Sequence, residues 1–107
     1  MLDESLLDEL ADNLGGPALV DQMLAVYHGE LAGRLGRLAA ASTPEELRDA
    51  AHALRSPSVG FGIARLASRL RRVEAAARKG TMAPLNGVYD TAAQADRALT
   101  TRLRATA

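Results

Sequence analysis

His52 and Arg55 stand one helical turn apart in the stretch Ala51-His52-Ala53-Leu54-Arg55-Ser56-Pro57-Ser58-Val59-Gly60-Phe61-Gly62, and they are the pair best suited to chemistry. An exposed imidazole is largely neutral and nucleophilic at pH 7. A guanidinium one turn on offers a fixed positive charge and forked donors to an anion such as a phosphoryl group. Arg48, one turn back, adds to that field. Ser56, one turn ahead, carries a hydroxyl able to bond the imidazole or a phosphoryl oxygen. A metal centre is not expected, because His28 is the only other histidine and no Glu-x-x-His or His-x-x-x-His pattern supplies further ligands. The chain has no cysteine, which excludes disulfides, thiolate zinc sites and cysteine nucleophiles. Without a Gly-rich phosphate loop it is not a kinase by itself, nor any enzyme with its own nucleotide site.

The elements that position these residues read as helices. Ala and Leu dominate the apolar 48%, with one Phe, two Tyr and no Trp, a composition for closely packed helices. Leu2, Leu6, Leu10 and Leu14 recur every fourth residue and predict a short leading helix that Gly15-Gly16-Pro17 ends. Val20, Leu24, Tyr27, Leu31, Leu35 and Leu38 give one stripe along a second helix. Thr43-Pro44-Glu45-Glu46 is a capping box with Pro at the first helical position, and it starts the third. Leu47, Ala51, Leu54, Ser58 and Phe61 form that helix's inner stripe, with Gly60 and Gly62 interrupting it. Ile63, Leu66, Leu70, Val73 and Ala77 line a fourth helix that Lys79-Gly80 closes; Val88, Ala92, Ala95, Leu99 and Leu103 line a fifth. Short connections make neighbours antiparallel, so the expected fold is all-α, an up-and-down antiparallel four-helix bundle behind a short N-terminal helix. All 107 residues are expected to form one domain.

On the helical wheel His52 lies about 140° from Leu47 and about 160° from Leu54, so it is expected to face water among Arg48, Arg55, Ser56 and Val59. Pro57 removes the amide that would bond the Ala53 carbonyl, and a bend is expected just past the histidine.

Formal charge is balanced but divided: residues 1–43 carry −5, residues 44–80 carry +4 and the rest +1. A basic segment fits an acidic protein partner. Arg65, Arg69, Arg71 and Arg72 invite a nucleic-acid reading, but the scarcity of aromatics and the lack of a recognisable motif argue against it. MLDESLLDE has the wrong charge for a signal peptide, and charge-free runs such as TMAPLNGVY are far shorter than the ~18 residues of a membrane span. The chain is therefore expected to be a cytoplasmic monomer that binds neither membrane nor nucleic acid.

The stretch from Ala51 to Gly62 resembles the phosphoacceptor segment of histidine-containing phosphotransfer (HPt) domains, whose pattern is Ala-His-x-Leu-Lys-Gly-Ser/Ala-Ser/Ala-x-x-Leu-Gly. Ala51, His52, Leu54, Ser58 and Gly62 match in register, and Arg55 and Phe61 stand for Lys and Leu. Val73-Glu74 answers to the family's Leu-Glu pair, and LGGPALVDQMLAVYHGEL is similar to the helix before the active one. The likeness spans roughly residues 5–80. Ser56 and Pro57 depart from it, replacing a glycine and a small residue. The resemblance implies that His52 accepts and donates a phosphoryl group, with Arg55 stabilising it. It implies docking through Arg48, Arg55, Ser56 and Val59. The implied partners are a response-regulator receiver domain or a hybrid histidine kinase; Mg²⁺ would reside on the receiver, and this chain would need no cofactor. The alternatives are a degenerate module that docks an acidic partner without transfer, and a nucleic-acid binder.

Overall fold

The start and stop signals become helix ends in the computed structural model, which describes residues 2–105. Five helices result, α1 (Glu4–Leu14), α2 (Pro17–Ala40), α3 (Pro44–Gly60), α4 (Ala64–Arg78) and α5 (Asn86–Ala105), with no strand among the described residues. The Asp3 carboxylate accepts from the Leu6 amide at 3.1 Å and caps α1. The Thr43 hydroxyl accepts from the Glu46 amide at 3.1 Å and caps α3. The expected capping box closes differently at its other half. The Glu46 carboxylate accepts from the hydroxyls of Ser42 and Thr43, at 3.0 and 3.1 Å, and makes no bond to the Thr43 amide.

Gly62 terminates α3 through two reciprocal bonds, Ile63 N–H to Ser58 O at 2.9 Å and Gly62 N–H to Val59 O at 3.0 Å. That closure requires a left-handed residue, and Gly62 has φ +70°. A methyl group there would lie 2.7 Å from Leu6 Cδ2 and 3.0 Å from Asp3 Cβ, so α1 leans on this turn. Gly60, by contrast, is an ordinary helical residue with open space around it.

The leucine stripes of α2 to α5 meet in one core that contains Leu24, Leu31, Leu54, Leu66, Leu70 and Leu99. The leading helix is the exception. Its buried residues are Leu7 and Ala11, while Leu2, Leu6 and Leu10 are half-buried and Leu14 is exposed. Two overlapping apolar faces compete over Leu2, Leu6, Leu7, Leu10 and Ala11, and packing on α2 selects the one through Leu7.

Helix α3 packs most extensively on α4, α2 lies against α3, α5 and α1, and α4 also touches α5. The polar ties give the directions. Tyr27 meets Ser58 and Arg34 meets Ala53, so α2 and α3 run antiparallel. Asp21 meets Arg102 and His28 meets Asp96, so α2 and α5 do too. The Tyr27 hydroxyl lies 2.7 Å from Ser58 Oγ, which in turn donates to the Leu54 carbonyl at 2.7 Å. The Tyr27 ring meets the lone Phe61 edge-on at 5.6 Å. Arg102 reaches Asp21 at 3.1 Å and Glu4 at 2.6 Å, joining three helices.

Pro57 lies inside α3 without ending it: the helix runs on to Gly60. The Ala53 carbonyl that Pro57 leaves without its helical donor instead accepts from Arg34 Nη1 at 2.6 Å.

These turns separate two glycines of similar sequence context. Gly62→Ala should cost at least ~1–2 kcal/mol for the left-handed backbone alone, whereas Gly60→Ala should be neutral or stabilise by up to ~1 kcal/mol. Urea unfolding of both variants checks this; equal effects would refute the assignment of Gly62 as the stop.

Candidate functional site

Helix α3 carries His52 outward and α4 carries Glu74 inward, and their meeting makes the site. The His52 side chain is 60% exposed, as the wheel predicts, but it does not stand alone in water. Its Nδ1 lies 3.1 Å from Glu74 Oε1, and the Glu74 side chain is only 4% exposed. Arg55 Nε donates to the other carboxylate oxygen, Oε2, at 2.6 Å, and Arg78 Nη2 donates to Oε1 at 3.0 Å. One buried acid thus gathers three cationic or titratable groups.

Burial pushes the Glu74 carboxyl up, but hydrogen bonds from Arg55 and His52, together with their charges, outweigh it and hold the group below the usual carboxylate range. An ionised carboxylate accepts only, so Nδ1 carries the proton it shares with Glu74. Arg55 Nη2 also lies 3.4 Å from Nδ1, but two donors do not bond each other, and the shorter contact to Glu74 fixes the tautomer. In the neutral ring the lone pair is then on Nε2, which has no hydrogen-bond partner among the described residues. An imidazole with one nitrogen anchored to a carboxylate and the other free toward solvent is an oriented nucleophile.

The structure places the remaining predicted residues as follows. Arg55 is half-buried, drawn down onto Glu74 rather than extended into water. Arg48 is exposed and approaches Asp49 at 3.6 Å. Ser56 and Val59 are exposed, and Ser56 makes no hydrogen bond to His52. A groove of about 360 Å³ lies between α3 and α4, lined by Arg55, Val59, Ala67 and Arg71 among others. A second, of about 490 Å³, includes Thr43, Arg48, Ala77 and Arg78. Two arginines line each groove, and Glu45 also lines the second.

Glu74 and Arg78 are the residues that the sequence reading left without a role. The signal for Glu74 was present: it falls four residues after Leu70 and three before Ala77, a lone acid on an apolar stripe. His28 is half-buried between α2 and α5, 2.7 Å from Asp96 and 3.4 Å from Thr100. Among the described residues no group of three or more His, Cys, Asp or Glu could hold a metal ion. The four arginines grouped from sequence do not share a face. Arg65, Arg69 and Arg72 line a groove against α5, while Arg71 lines the groove between α3 and α4. No helix among the described residues is long and apolar enough to cross a membrane.

No family model, no curated protein and no solved structure matches this chain.

Because Glu74 is held below its ordinary value, its contribution to stability is fully present above the unfolded-state value near ~4.3 and is lost as pH falls through the lowered folded-state value. Glu74→Gln should therefore cost about 1–3 kcal/mol at pH 7, since it removes the charge that three donors share. Chemical unfolding across pH should show the gap between wild type and variant closing in acid. A gap that stays constant down to pH 2 would show that Glu74 is not the ionised anchor.

Proposed function

We propose that this chain is a histidine phosphotransfer domain of a two-component phosphorelay, with His52 Nε2 as the phosphoryl acceptor. The observation that carries the reading is the bond between exposed His52 and buried Glu74, which leaves Nε2 as the outward nucleophile. Helices α2 to α5, antiparallel where the polar ties give direction, support an up-and-down four-helix bundle with α1 as the leading helix. The chain acts as a phosphocarrier without a kinase site, a single cytoplasmic domain working as a monomer.

The donor in this reading is the aspartyl phosphate of a response-regulator receiver domain, or of the receiver in a hybrid histidine kinase. The Nε2 lone pair attacks phosphorus, the Asp oxygen–phosphorus bond breaks, and the Asp departs as a carboxylate. Nδ1 keeps its proton, so the ring becomes cationic as the Nε2–P bond forms. The Glu74 carboxylate faces that developing charge, a fixed counter-charge in a largely buried place. Reverse transfer discharges the ring in the same geometry. Mg²⁺ stays with the receiver.

Arg55 acts twice in this scheme: its Nε holds Glu74, and its Nη1, unbonded among the described residues, is the donor left for phosphoryl oxygens. Arg48, Ser56 and Val59 form the docking rim on the same outer face of α3. The basic surroundings speed encounter with an acidic receiver site.

Incubation with phosphorylated receivers tests the proposal. His52→Gln should abolish acid-labile phosphate on the chain while changing stability by only ~0.5–1 kcal/mol, because the imidazole is exposed and Arg55 and Arg78 still donate to Glu74. His28→Gln should leave labelling in place. Binding of a receiver with no label on the wild-type chain would replace this reading with a docking module that does not transfer.

A further inference from the structure

Pro57 sits where it should damage the site. It lies five residues past His52 and removes the amide that would bond the Ala53 carbonyl, so the turn carrying the histidine loses a helical bond. A carbonyl released in this way normally tilts toward water and the helix bends there. Helix α3 is nevertheless continuous to Gly60, and the Ala53 carbonyl has a donor from another helix. Arg34 Nη1 reaches it at 2.6 Å.

The donor is itself held in place. Glu30, one turn earlier on α2, accepts from Arg34 Nε at 3.2 Å and from Nη2 at 2.7 Å. Two of the three guanidinium nitrogens are thereby fixed, and the third is aimed at Ala53. A planar fork suits this task, because its donors keep a set angle to one another.

We propose that Arg34 is a positioning residue for His52, its guanidinium standing in for the amide that Pro57 lacks and keeping α3 continuous through the turn that presents the imidazole to Glu74. The functional half of this inference rests on the phosphotransfer reading; the bond itself does not. With the substitute donor gone, the Ala53 carbonyl would seek water, the helix would bend between residues 53 and 57, and His52 and Arg55 would swing relative to Glu74. Arg34 touches neither the imidazole nor anything it reacts with, so its influence passes through the backbone of Ala53.

A double-mutant cycle of Arg34→Met and Pro57→Ala tests it, because the second change restores the missing amide. In the wild-type background Arg34→Met should lower the melting temperature by roughly 4–8 °C. In the Pro57→Ala background the same change should cost clearly less, and loss of the Glu30 pair cancels because both backgrounds share it. At a temperature where all four proteins are folded, Arg34→Met should slow phosphoryl uptake from a receiver about tenfold or more, and adding Pro57→Ala should restore the rate. Arg34→Lys, which keeps a donor, should retain most of both and serves if the Met variant does not fold. Equal losses in both backgrounds would overturn the substitution of guanidinium for amide. A wild-type chain that takes no label from any receiver it binds overturns the functional half, and the stability cycle then judges the bond alone.

Discussion

A single buried carboxylate governs the organisation of the site. Glu74 sits on the inner side of α4 and is nearly inaccessible to water, yet it stays ionised because Arg55, Arg78 and His52 surround it. Burying a charge is costly, and removing any one of its partners leaves the rest under-compensated. The arrangement therefore fixes more than one imidazole. It ties α4 to α3 at the level of His52, draws Arg55 down from the surface, and selects which ring nitrogen is left without a partner. A leucine at position 74 would pack as well against the neighbouring core, but it would leave the histidine free to rotate.

The sequence carries most of the architecture and only part of the site. The stripes of α2 to α5, the Thr43 cap and the Gly62 and Gly80 stops are all local, and local rules place them. The face of α1 is different, because Leu2, Leu6 and Leu10 compete with Leu7 and Ala11, and only packing decides between them. The exposure of His52 follows from its angle to Leu47 and Leu54. What it bonds does not, since Glu74 is 22 residues away on another helix. Arg34 was hardest to read: Pro57 announces an orphaned carbonyl, but nothing local says that a residue 19 positions before Ala53 will answer it.

Small side chains make up part of the core. Ala50, Ala51, Ala77, Ala92 and Ala95 are buried at helix faces, where they let the backbones approach closely. Among the described residues every buried side-chain nitrogen or oxygen has a hydrogen-bond partner. The polar groups of the interior are thus engaged, whereas His52 Nε2 has no hydrogen-bond partner among the described residues.

The site also lies within a short length of chain. His52 and Glu74 are separated by 22 residues, whereas the Glu4–Arg102 tie that joins the two ends spans 98. Loop-closure entropy grows with the logarithm of that separation, so closing the shorter loop costs about 1.3 kcal/mol less. Opening of the chain ends, where helices fray first, breaks the long loop and leaves the short one intact. A fluctuation that breaks the Glu4–Arg102 tie therefore does not by itself break the bond between His52 and Glu74.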